Sequence, residues 1–157
     1  MKKKRVVIIS LLLLLVSVIG ISSYFLFKDK INLLDVDHSA VDWNGKKQKD
    51  TSGEENTIAI PRFEKVTLYA NETTQAVNFH NPEINDCYFK ISLIHPDGSV
   101  LWISDLIEPG KGMYSIELEK TLAVGEYENA VLKYECFSLN DQSPLNGSEI
   151  NLKLVVV

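Results

Sequence analysis

Two cysteines, three histidines and one glycine-rich turn are the groups in this 157-residue chain whose types suggest chemistry. The run Glu108-Pro109-Gly110-Lys111-Gly112 has the outline of a phosphate-binding loop. Such a loop needs G-x-x-x-x-G-K-[ST] between a strand and a helix, so that backbone N–H groups and a helix N-terminus converge on the anion. Here Asp105 stands five positions before Gly110, and Gly112 occupies the place of the hydroxyl residue that would hold magnesium. The residues that follow, MYSIELE, alternate as a strand. Pro109 and Gly110 suit the two central positions of a type II turn. The motif reads as a chain reversal, and no cofactor is assigned.

The histidines fare no better. None of His38, His80 and His95 lies two or four residues from another His or from a Cys, so zinc has no ligand pattern. Asp35, Asp37 and Asp42 lack the alternating-oxygen loop that closes on a bidentate Glu around calcium. All read as solvated polar groups. No catalytic, cofactor-binding or metal-ligating residue is expected.

Cys87 and Cys136 form the one candidate bond. Both fall in the inward-facing phase of their segments. If those segments are antiparallel neighbours, the start of one lies beside the end of the other and the two cysteines meet. A disulfide across 49 residues (136 − 87 = 49) would constrain the unfolded chain by about 3–4 kcal/mol. The competing reading is a pair of buried thiols acting as small hydrophobes. No histidine adjoins either cysteine in sequence to activate it as a nucleophile.

The elements that would carry these residues follow from hydropathy. Residues 1–5 hold four positive charges, and residues 6–27 (VVIISLLLLLVSVIGISSYFLF) are 22 consecutive positions without a charge. A helix of that length spans about 33 Å, against a hydrocarbon core of about 30 Å. The basic excess before the span predicts a cytoplasmic stub at 1–5, a transmembrane signal anchor at 6–27 and export of the remainder. A cleaved signal peptide is the alternative, with small residues at Gly20-Ile21-Ser22, and would make the protein secreted. Residues 28–157 carry 12 basic and 21 acidic side chains, a net charge of 12 − 21 = −9. An acidic body without a basic stripe repels phosphate backbones, which argues against nucleic acid as a partner.

Residues 28–56 are read as a linker, because 44–56 contains no hydrophobic residue to repay the entropy of ordering. From Thr57 the period becomes two, as in Val66-Leu68-Ala70, Cys87-Phe89-Ile91-Leu93 and Ile150-Leu152-Leu154-Val156. This alternation predicts an all-β domain over 57–157, an immunoglobulin-like antiparallel sandwich of about seven strands. His95-Pro96-Asp97-Gly98-Ser99 reads as a hairpin turn, and Asn81-Pro82, Pro109-Gly110 and Asn146-Gly147 as other reversals. Asn71-Glu72-Thr73 and Asn146-Gly147-Ser148 match the glycosylation pattern but are taken as turn residues. Gly125-Glu126-Tyr127 predicts a tyrosine corner, in which the phenol bonds backbone a few residues upstream. Tyr127 is out of phase with Ala130, Leu132, Tyr134 and Cys136, so a bulge is expected near Glu128-Asn129. Tyr69, Tyr88 and Trp102 are expected in the core or in cross-strand pairs, the alternative being an exposed aromatic patch.

Four segments, IAIPRFEKVTLYA, NPEINDCYFKISL, SDLIEPGKGMYSIEL and SPLNGSEINLKL, resemble in order the blocks of an uncharacterised family of small membrane-anchored extracytoplasmic proteins of low-GC Gram-positive bacteria. The VDW around Trp43 falls where such proteins carry a similar patch ahead of the domain. The resemblance implies the location and the sandwich, and it transfers no catalytic residue. The expectation is a non-catalytic cell-surface interaction module. Its partners are the membrane through residues 6–27 and possible envelope proteins, with no small-molecule substrate evident. The rivals are an accessory subunit of an envelope transfer or export complex and a hydrolase whose site is assembled from distant loops.

Overall fold

A computed structural model describes residues 33–45 and 57–157. The expected stub, the expected span at 6–27 and linker residues 28–32 and 46–56 lie outside the described residues. Among the described residues no helix is long and apolar enough to cross a membrane.

Eight strands follow in order: β1 (Val41–Asp42), β2 (Lys65–Leu68), β3 (Thr74–His80), β4 (Cys87–Ile94), β5 (Val100–Ile103), β6 (Lys111–Glu117), β7 (Gly125–Ser138) and β8 (Pro144–Val156). They form two sheets, ordered β1-β6-β3 and β2-β8-β7-β4-β5. All neighbours are antiparallel except β2, which runs parallel to the last strand in register Lys65↔Lys153 to Leu68↔Val156. The described chain is all-β and sandwich-like. Period-two burial is the main cause: along β2, β4 and β7 buried apolar residues alternate with more exposed ones, and one shared core accepts side chains from both sheets. Cys87, Phe89, Ile91 and Leu93 of β4 enter that core with Ala130, Leu132, Tyr134 and Cys136 of β7. From the smaller sheet, Phe79 reaches Trp102 of the larger one with ring centres 5.9 Å apart.

The turns hold as their residues require. His95 N–H donates to Ser99 O at 2.8 Å and Gly98 takes φ of +86°, closing the β4–β5 hairpin. Lys111 N–H donates to Glu108 O at 3.1 Å across Pro109 and Gly110, whose φ of +77° only glycine adopts without strain. This is the type II turn expected from EPGKG. The Tyr127 hydroxyl donates to Ala123 O at 2.9 Å, and the β7–β8 register slips between Tyr127 and Ala130, with Asn129 at φ of +61°. The corner and its bulge are both present.

Three expectations fail. The folded unit begins at Leu34, not at Thr57. Val41 and Asp42 pair with Gly112 and Lys111, Val36 bridges Leu106, and Ala40 is buried. The segment from Leu34 to Trp43 thus docks on the domain. Asn146-Gly147 is not a reversal; it lies inside β8 at a second register slip, and the chain turns at 139–143 instead. A Cβ on Gly147 would stand 2.2 Å from Tyr134 O, so glycine is there for close approach of the two strands. Finally, Trp102 is in the core as expected, whereas Tyr69 is 54% exposed and departs from that expectation.

Candidate functional site

The richest polar assembly lies at the end of the sandwich where the chain enters. Asn81 and Asn85 are both buried in the turn between β3 and β4. The Asn81 amide donates to Cys87 O at 2.8 Å and to Ile107 O at 2.9 Å, and its oxygen accepts from Asn85 Nδ2 at 2.8 Å. Asn85 closes a two-way pair with Ala59, accepting its N–H at 2.8 Å and donating to its carbonyl at 3.0 Å. Asn81 N–H also donates to Lys111 O, and its carbonyl accepts from Gly110 N–H, each at 2.9 Å. Residues from three of the four segments singled out in the sequence, 58–70, 81–93 and 104–118, therefore meet at one hydrogen-bond network. A buried amide repays its desolvation only when its donors and acceptor are matched, and here backbone groups match them. The network positions loops and holds no proton to transfer.

Beside it sits an aromatic clip. Trp43, just beyond β1, stacks on His80 at the end of β3 with ring centres 3.8 Å apart and planes 9° from parallel. Trp43 Nε1 donates to Asn78 Oδ1 at 2.6 Å, and Trp43 N–H donates to Gly110 O at 2.9 Å. The Tyr114 hydroxyl accepts from Asn44 N–H and donates to Asn44 Oδ1, each at 2.9 Å. Gly112 lies under the clip, and a Cβ there would come within 2.8 Å of both Trp43 Cδ1 and His80 Cβ. His80 is thus a packing residue of the N-terminal segment.

The other candidates resolve into local roles. Asp37 accepts from Ser39 N–H at 3.0 Å and from Asp105 N–H at 3.2 Å, tying the docked segment to the loop before β6. Among the described residues no group of three or more His, Cys, Asp or Glu could hold a metal ion. His95 does face an acid, with Nδ1 2.9 Å from Asp97 Oδ1. Ser99, through its side chain and its N–H, and then His95 hold the Asp97 carboxyl well below the usual carboxylate range. Both residues belong to one exposed hairpin turn, and the carboxylate organises that turn.

The cysteines lie on neighbouring strands, as β4 pairs with β7. In that register Cys87 faces Ser138 and Cys136 faces Phe89, one diagonal step apart. Both are free thiols 1% exposed. The neighbouring Cys87 thiol and burial together push the Cys136 thiol far up, so it keeps its proton.

One open groove of about 330 Å³ lies between β7 and β8, with Lys133, Glu135 and Glu149 beside Phe137, Pro144 and Leu145. It follows from the slip at Asn146-Gly147. Reasoning from sequence missed the asparagine network, although two Asn in a proline turn flanked by apolar strands were the signal for it. Comparison with protein-family models, with curated proteins and with solved structures gave no match.

Proposed function

We propose that the chain is a single-pass membrane protein whose immunoglobulin-like domain acts outside the cytoplasm as a non-catalytic interaction module. The observation that carries this reading is how the buried polar side chains are used. Asn81 and Asn85 bind backbone and each other, and Gln75 binds the backbone of Tyr69 and Glu72. A scaffold that commits its interior amides to fixing loops is suited to displaying a surface. The immunoglobulin-like assignment is supported by β3–β6 packed against β8-β7-β4-β5, by β2 crossing to run parallel with the last strand, and by the tyrosine corner opening β7. The anchor is supported by the charge-free residues 6–27 behind a basic start.

Protease treatment of intact cells and of inverted membrane vesicles tests topology. The domain should be digested only in intact cells, and an anchored fragment should stay in the membrane pellet. Digestion only in inverted vesicles overturns the reading, and release of an intact domain to the medium favours a cleaved leader.

A second reading, an accessory subunit of an envelope complex, is favoured by the early start of the fold. Only residues 28–33 separate the apolar run from Leu34, so the domain works at the membrane surface. Replacing residues 6–27 with an unrelated apolar span should abolish complex assembly under this reading and leave a self-sufficient module unaffected.

A further inference from the structure

The entry end of the domain is defined by hydrogen bonds. Leu34 N–H donates to Gln142 Oε1 at 2.6 Å, and Leu34 O accepts from Gln142 Nε2 at 3.0 Å. Gln142 belongs to the loop between β7 and β8, and the pairing of Cys87 with Ser138 sets the 81–86 loop beside it. Each of these loops raises a large aliphatic side chain into solvent: Ile84 is 75% exposed and Leu139 is 40% exposed. Leu33, next to the pinned residue, is 59% exposed.

The covalent chain limits what these side chains can meet. Residues 28–33 are six positions, which reach about 20 Å when fully extended. A headgroup layer fills about 5–7 Å on each side of the hydrocarbon. A domain pinned at Leu34 is therefore within reach of that layer. Single aliphatics on separate loop tips do not make the close-packed, shape-matched patch that a protein partner requires. A fluid lipid interface accepts them one by one. Glu83, Asp86 and Asp141 share the same loops, so deep insertion and anionic headgroups are both disfavoured.

We infer that this end of the domain rests on the neutral phospholipid headgroup layer, with Ile84 and Leu139 as its contacts. The inference rests on the anchor reading proposed above. It also assigns the opposite end, where Val124 is 72% exposed in the loop before β7, to the aqueous side.

The full-length protein in phosphatidylcholine vesicles, with a nitroxide on a fraction of the headgroups, tests this. A fluorophore is attached through Ile84→Cys, Leu139→Cys or Val124→Cys, the native Cys87 and Cys136 being 1% exposed and shielded from label. Strong quenching is expected at 84 and 139 and little at 124. The Ile84→Asp change should lose the quenching read at 139, and anionic lipid should weaken it. Vesicle flotation is read on the same samples. Protein that floats with the vesicles but is quenched equally at all three positions overturns the contact and leaves the anchor standing. Protein that does not float overturns the anchor and the contact with it.

Discussion

The indole of Trp43 lies flat on the imidazole of His80, 3.8 Å away and 9° from parallel, directly above Gly112. A residue from the expected linker thereby completes the outer face of the three-stranded sheet. The stack works because glycine leaves the space beneath it open and because Asn78 takes the indole N–H. Polar edge and apolar face are both satisfied, as a half-buried tryptophan requires.

Gly112→Ala should therefore lift the clip. The added methyl would meet Phe79 O at 2.7 Å and Trp43 Cδ1 at 2.8 Å. Overpacking of this kind costs about 1–3 kcal/mol. The expected result is a lower denaturant midpoint together with a shift of tryptophan emission toward that of an exposed indole. An unchanged midpoint and spectrum would contradict the packing role.

Asn81→Ala should destabilise by about 2–4 kcal/mol, because the carbonyls of Cys87 and Ile107 lose a buried donor. Asn81→Asp should be worse at neutral pH, since it turns an oxygen toward those carbonyls. Burial raises the pKa of such a carboxyl, so its proton returns on mild acidification and supplies one donor again. Stability of the Asp variant relative to Ala should thus improve as pH falls, as urea melts across pH would record.

Tyr127→Phe removes one hydrogen bond, to Ala123 O, from a half-buried corner. A loss of about 1 kcal/mol is expected, without a change in the cooperativity of unfolding. Equal midpoints for the two proteins would mean that the corner is held by ring packing against His95 alone.

Tyr134 supplies an alkaline limit. Burial pushes its phenol pKa far above the ordinary value of 10.0, and its hydroxyl donates to Pro61 O at 3.2 Å. In the unfolded chain the phenol ionises near pH 10, whereas in the folded chain it keeps its proton. The unfolded state therefore binds fewer protons above that pH, and stability falls as pH rises through it. Tyr134→Phe should flatten this alkaline decline. A decline as steep as the parent's would place its origin elsewhere.

The cysteine pair should titrate as two thiols, and only after unfolding. Diagonal neighbours across an antiparallel ladder have Cα atoms about 7–8 Å apart, beyond the usual span of a disulfide. A thiol reagent should thus find nothing in the native protein and two equivalents in denaturant. No reaction in denaturant would reveal a bridge, and with it a backbone shift between β4 and β7.

Local chemistry was the most legible part of the sequence. Pro109-Gly110, Asp97-Gly98 and Gly125-Glu126-Tyr127 specify their geometry within four or five residues, and all three took it. Even the slip at Glu128-Asn129 could be read, because Tyr127 and Ala130 disagreed in phase. What stayed hidden depends on residues distant in the chain. Trp43 docks because of a glycine at 112, and Asn81 is buried because Ile107 and Cys87 present carbonyls to it. Asn146-Gly147 looks like a hairpin turn, yet the carbonyl of Tyr134 claims that glycine for a strand crossing. The site at the entry end carried only a weak signal for the same reason: its asparagines read as turn formers until the fold brings Ala59 beside them.

The parallel ladder of β2 with β8 imposes an order on biosynthesis. Lys65 through Leu68 must wait for Lys153 through Val156, which are made 88 residues later (153 − 65 = 88). Until then an early segment holding Val66 and Leu68 has no neighbour on that flank, so this sheet closes only once residues 153–156 have been made. A nascent chain stalled short of residue 153 should remain sensitive to protease and bound to chaperones.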